Sequence, residues 1–172
     1  MKRDIIQMGK KVLRQKAEYV DPTKITSEKI QSIISDLHES LTTQSDGVAI
    51  AAPQIGESYQ IFTVAPFIFE EPQGEHLVYI NPVIIETSEK KKWMREGCLS
   101  CRWKVGDVER SKEATIEAYD EYGNKFTESA DELLAHIFQH ETDHLHGILF
   151  VDKARKLRDM TQDEIDDVLN EN

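Results

Sequence analysis

The chain has 172 residues, a formal net charge of −11, 39% hydrophobic residues and two cysteines. That length predicts one domain over 1–172, long enough to bury a core without staples. The acidic balance argues against a partner held by phosphate contacts, and the lone cysteine pair argues against a secreted disulfide framework.

In chain order, the N-terminal run MKRDIIQMGKK shows no long apolar stretch and no Arg- and Ser-rich leader. The expectation is a cytoplasmic protein with no membrane span. Ile30, Ile33, Ile34, Leu37 and Leu41 recur at helical spacing and predict a first helix over 27–43, with Thr26 as its N-cap. The run Gly47-Val48-Ala49-Ile50-Ala51-Ala52-Pro53-Gln54 comes next. Without a basic residue or a following helix signal it is a poor phosphate loop, and it suits a strand edge open to another backbone. Short β-branched runs predict strands over 61–65, 77–80 and 83–85. Lys90-Lys91-Lys92 reads first as a solvated turn and second as a local basic patch. Strands over 114–119 and 125–127 flank the hairpin signal Glu121-Tyr122-Gly123-Asn124. Ser129-Ala130-Asp131-Glu132 reads as a capping box that starts a second helix. Leu133, Leu134, Ile137 and Phe138 form its buried stripe, and Gly147 is its stop signal. Thr161-Gln162-Asp163-Glu164 is another capping box, opening a short acidic C-terminal helix. Strands between helices predict an α+β domain.

Chemistry concentrates in the second helix, in His140-Glu141-Thr142-Asp143-His144. Histidines four apart share a helix face, so both imidazoles reach one metal ion. A glutamate beside the first can reach a water at that metal, which suits hydrolysis. A third protein ligand is still needed. His146 follows too closely to share the face; Asp152, Asp159 and the acidic tail are carboxylate candidates. Cys98, in Glu96-Gly97-Cys98-Leu99-Ser100, is the better one. Thiolate plus two imidazoles leaves a fourth position open.

Three motifs in order carry a family resemblance. They are the Gly47–Gln54 run, the EGCLS of residues 96–100 and the QHETDHLHG of 139–147. With them the chain resembles the peptide deformylases, from about residue 12 to 150. The resemblance implies mixed or antiparallel β-sheets around a central metal-binding helix, with N-terminal and C-terminal helices. It implies removal of the formyl group from formyl-methionyl nascent peptides, releasing formate. It implies one divalent ion on Cys98, His140 and His144: iron(II) natively, with zinc, nickel or cobalt accepted. Glu141 is then the general base and acid; Gln54 and the backbone N–H of Leu99 stabilise the charge on the formyl oxygen. The peptide lies as an added strand along Gly47, Ala49 and Ile50. Gly97, Arg102, His136 and Ile137 border the groove and the pocket for the first side chain. Glu96 and Arg110 match a supporting ion pair, and Asp143 orients a partner beyond the ligands. The partners expected are formylated N-termini and a transient ribosome contact through a basic patch, with no direct nucleic-acid or membrane binding.

Three departures from the family pattern stand out. Ala49 occupies the place of a second glycine, where a methyl group crowds a bound backbone unless φ stays negative. Cys101-Arg102 replaces the usual apolar residue and proline, and Cys98-x-x-Cys101 has the spacing of redox pairs and of zinc knuckles, the latter disfavoured because a second such pair is missing. His136 stands where the family carries mostly apolar residues; it either makes the pocket more polar or packs in the core with a satisfied hydrogen bond. These departures motivate the alternative of a divergent metallohydrolase acting on another N-acyl amine. A silent peptide-binding paralogue and a general HExxH endopeptidase are weaker alternatives.

Overall fold

The computed structural model describes residues 1–69 and 76–170. Helix α1 (Glu28–Thr42) is followed by strands β1 (Ala49–Ala51), β2 (Ile61–Val64), β3 (Val78–Thr87), β4 (Lys91–Glu96), β5 (Lys104–Ser111), β6 (Glu113–Tyr119) and β7 (Lys125–Asp131). Helix α2 (Glu132–Leu145), strand β8 (Arg155–Asp159) and helix α3 (Gln162–Asn170) complete the order. The chain is α+β, and both of its sheets are antiparallel. One runs β1-β2-β3-β6-β7, the other β4-β5-β8. Parallel pairing is confined, among the described residues, to an isolated bridge between Glu18 and Tyr59.

The large sheet is apolar on both faces where the helices cover it. Ile50, Ile61 and Ile80 point to one side and pack with Ile30, Ile33, Ile34, Leu37 and Leu41 of α1. Ala49, Ala51, Phe62, Val64 and Tyr79 point to the other and pack with Ala135, Ile137, Phe138 and Leu145 of α2. Alternation of side chains along each strand produces this division. It also explains why β1 is buried throughout, although it is an edge strand.

Several expectations need correction. The runs at 77–80 and 83–85 are one strand, β3, interrupted by a register shift. Asn81 takes a left-handed φ of 52° there, and its side chain bonds both the N–H and the C=O of Val20. Asparagine tolerates that conformation, and Pro82 lacks an N–H to give a ladder, so a bulge forms where the sequence suggests a break. Ser129 is not a helix cap. It lies in β7 opposite Thr115 and shares a 2.9 Å hydrogen bond with that hydroxyl. Pairing of β6 with β7 continues to Asp131, so the sheet claims these residues before α2 begins. The N-cap position of α1 is Ser27 rather than Thr26. Lys91 and Lys92 lie in β4, not in a turn. Leu133 is 46% exposed, outside the buried stripe.

The capping box at Thr161 is present: Thr161 N–H donates to Glu164 Oε2 (2.9 Å), and Glu164 N–H donates to Thr161 Oγ1 (3.3 Å). Gly147 also ends α2 as expected, with φ +74°. A Cβ at Gly147 would stand 2.6 Å from the carbonyl oxygen of Arg14, so conformation and close packing both require glycine. Among the described residues no helix is long and apolar enough to cross a membrane.

Candidate active site

The buried stripe of α2 fixes the helix on the large sheet and turns its other side toward the small sheet. His140, Glu141 and His144 lie in its last turns, where Glu141 is 4% and His144 1% exposed. Cys98 comes from the segment between β4 and β5. Its Sγ is 3.2 Å from His144 Nε2, and the potential ligand atoms of Cys98, His140 and His144 all lie within 4.8 Å of one another. Asp152, the carboxylate alternative, is engaged elsewhere: it pairs with Arg14 and caps Leu149.

Two hydrogen-bond systems hold this cluster. Glu96, at the end of β4, accepts from Arg110 Nε (2.7 Å) and Arg110 Nη2 (3.2 Å). It also stands 2.8 Å from His140 Nδ1 and 2.7 Å from His136 Nε2. An ionised carboxylate only accepts, so both rings donate there, and Nε2 of His140 keeps its lone pair for the cluster. Arg110 continues the chain to Asp143, which also pairs with Lys153. In the second system Gln54 Oε1 accepts from Ala51 N–H (2.8 Å). That turns its Nε2 toward Ser100 Oγ (3.2 Å) and Cys98 Sγ (3.6 Å).

The electrostatics follow from burial and these contacts. Burial alone would raise the Glu96 carboxyl; hydrogen bonds from His136, His140 and Arg110 outweigh it and hold the group ionised. Burial pushes Glu141 up to about 7, only partly opposed by His140. Its Oε2 is buried with no partner among the described residues. Burial and the neighbouring His140 drive His144 well below the ordinary histidine value, leaving the neutral, ligating form. The Cys98 thiol is pushed up by the neighbouring Cys101 sulfur and by burial. Both cysteines are free.

A cavity of about 370 Å³ opens beside the cluster. Gly47, Ala49, Gln54, Gly97, Cys98, Leu99, Arg102, His136, Ile137, His140 and Glu141 all line it. Two of the residues expected in the site do not. His144 lies behind the wall, and the Ile50 side chain is fully buried against α1, leaving only its backbone on the sheet edge. Ala49 has no positive φ, and its methyl group packs into the core. Arg102 forks onto Asp46, reaches Gln44 and stacks on Trp103 at 4.5 Å, tying together two segments of the rim.

Sequence reasoning missed Met94, Leu133 and Ser100. Met94 lines the cavity from the β4 face that carries Glu96, two residues on, a signal legible only once β4 is known to be a strand. Leu133 lines the cavity instead of the core. Ser100 is fully buried and holds the Gln54 amide.

Comparison with known proteins agrees with this geometry. A family model described as polypeptide deformylase matches residues 2–160. A peptide deformylase from Pseudothermotoga lettingae is 43% identical over 155 residues, covering 88% of this chain and 82% of that protein. The crystal structure of a peptide deformylase from Synechococcus elongatus in complex with actinonin aligns with a TM-score of 0.78 and 33% identity, over 98% of this chain and 84% of that one. A class I type b peptide deformylase from Acinetobacter baumannii, with Met-Ala-Ser bound, aligns with a TM-score of 0.79 and 29% identity, over 89% and 98% of the two chains. A profile match over most of the chain and the same architecture in solved relatives lead to one conclusion: the chain belongs to the polypeptide deformylase family.

Proposed function

We propose that the protein hydrolyses the formyl group from formyl-methionyl peptides at the Cys98–His140–His144 cluster. The observation that carries this is the convergence of one thiol and two imidazoles beside Glu141, whose buried carboxylate oxygen has no partner among the described residues. A soft thiolate and two imidazoles fit a divalent ion, as the metal dependence of the family requires. We assign iron(II) as the native ion, with zinc, nickel or cobalt as substitutes.

Cys98, His140 and His144 would hold the ion, which would supply Lewis-acid chemistry to a water molecule and to the formyl oxygen. Glu141 takes the proton of the attacking water and passes it to the leaving amine, and a carboxyl titrating at about 7 is suited to both steps. The formyl C–N bond breaks, giving formate and a free amino terminus. The Gln54 amide, held by Ala51 and Ser100, and the Leu99 N–H donate to the formyl oxygen as charge develops there. The peptide backbone adds to the open edge of β1, past Gly47, Ala49 and the backbone of Ile50. Leu133 and Ile137 face its first side chain, and Gly97 and Arg102 border the chain beyond it. The Met-Ala-Ser complex of the Acinetobacter relative supports a peptide of this kind.

A cytoplasmic location fits this substrate. A transient ribosome contact would use the exposed lysines of β4, Lys91 and Lys92.

The test is formate release from formyl-Met-Ala-Ser by cobalt(II)-loaded protein, prepared without oxygen. Glu141→Gln should lower kcat by about 10²–10⁴ while one ion stays bound. Unchanged turnover in that variant would remove Glu141 from the mechanism. No turnover by the loaded wild type, with release of a longer acyl group instead, would redirect the substrate assignment.

A further inference from the structure

We infer that His136 is a positioning residue for the metal site, acting through Glu96 on His140, rather than a selector of the substrate's first side chain. The inference rests on the assignment of His140 as a metal ligand. His136 is 7% exposed and one helical turn before His140. Its Nε2 is 2.7 Å from Glu96 Oε1, and its Nδ1 lies against Met94 Sδ at 3.0 Å. Nε2 is therefore committed to Glu96, and Nδ1 is covered by the Met94 sulfur.

Glu96 is the junction of this arrangement. Oε1 takes Arg110 Nε and His136; Oε2 takes the longer Arg110 contact and His140. Arg110 grips both carboxylate oxygens from one side. His136 comes from α2, the helix that carries His140, so it fixes Oε1 from the ligand's own side. Oε2 is then aimed at His140 Nδ1, which sets the ring's tautomer and turns Nε2 to the cluster. Glu96, His136 and His140 could themselves be read as a second metal cluster, since their ligand atoms also lie within 4.8 Å. The buried Arg110 guanidinium on the same carboxylate excludes a second cation there.

The experiment compares wild type, His136→Leu and His136→Gln. Cobalt(II) affinity is measured by chelator competition, the cobalt–thiolate absorption band is recorded, and KM is measured for formyl-Met-Ala-Ser. Leucine removes the donor and keeps an apolar volume; glutamine restores an N–H at about the same reach. His136→Leu should bind cobalt about three- to tenfold more weakly, less than the roughly 10–100-fold expected on losing a direct partner of a ligand. His136→Gln should restore affinity to within about twofold, and KM should stay within about twofold in both. Unchanged cobalt affinity with a shifted KM in His136→Leu would overturn the inference in favour of a pocket role. Equal loss of affinity in both variants would overturn it too, since the hydrogen bond would then not be the cause. If wild type shows no cobalt–thiolate band, the metal-site assignment fails, and the inference with it.

Discussion

At the scale of single residues, the cost of burying a carboxyl is clearest at Glu141. Its carboxyl titrates at about 7 in the folded, metal-free protein, against an ordinary value of 4.5. Below about pH 4.5 both folded and unfolded chains carry the proton. Between that value and about 7 the unfolded chain releases it and the folded chain keeps it, so stability falls as pH rises. Above about 7 the cost is constant, on the order of 3 kcal/mol, because each tenfold difference in proton affinity is worth about 1.4 kcal/mol. Glu141→Gln, close in shape and neutral, should make the metal-free protein more stable than wild type above pH 7. The advantage should shrink toward pH 4.5, as urea denaturation across that range would show. A constant difference at all pH values would mean that the buried carboxylate is not its source. The sequence names Glu141 through its motif, but not this penalty, because the penalty arises from the surfaces that close over the side chain.

At the scale of elements, the two apparent capping boxes separate local from non-local control. Ser129 to Glu132 has the letters of a cap, but β7 pairs with β6 across Glu113 and Asp131 and takes these residues as a strand. Thr161 to Glu164 has no competing strand, and its reciprocal hydrogen bonds form. Ser129→Ala should therefore change stability by no more than about 0.5 kcal/mol. Thr161→Ala should loosen α3 by about 1 kcal/mol, seen as faster amide exchange at its first turn. The reverse order of effects would restore Ser129 as the cap. Gly147 is the stronger constraint. Gly147→Ala combines a positive φ with a methyl group pressed on the Arg14 backbone, so it should cost at least about 2 kcal/mol in urea denaturation. A loss below about 0.5 kcal/mol would show that the first segment of the chain shifts freely away from α2.

At the scale of the whole molecule, the Cys98–His140–His144 cluster joins parts that the sheets keep apart. Cys98 follows β4 of the small sheet, while His140 and His144 ride on α2, packed on the large one. An ion bound to all three would tie the two halves together and stabilise the folded chain by mass action, about 4 kcal/mol at a thousandfold excess over Kd. The melting temperature should rise with free cobalt(II) and fall with chelator, and Cys98→Ser should flatten that dependence. A melting temperature indifferent to metal in the wild type would contradict a single site shared by the two halves.

The sequence by itself determined what depends on neighbours along the chain. The α1 and α2 periods, the αL stop at Gly147, the Thr161 cap, the hairpin at Gly123 and the three motifs were all legible, because helix faces and turns are set within a few residues. The same locality supplied Cys98, His140, Glu141 and His144 as candidates. Only the tertiary structure decided the rest. Strands β4 and β8 are charged and solvent-facing, with sequences KKWMRE and RKLRD that show little apolar alternation, so their pairing with β5 was invisible beforehand. With β4 unseen, the shared face of Met94 and Glu96 was unseen too, and so was the contact that ties His136 to a carboxylate. Such contacts join residues some forty positions apart in the chain, and the packing of sheet on helix, not the order of residues, brings them within 3 Å.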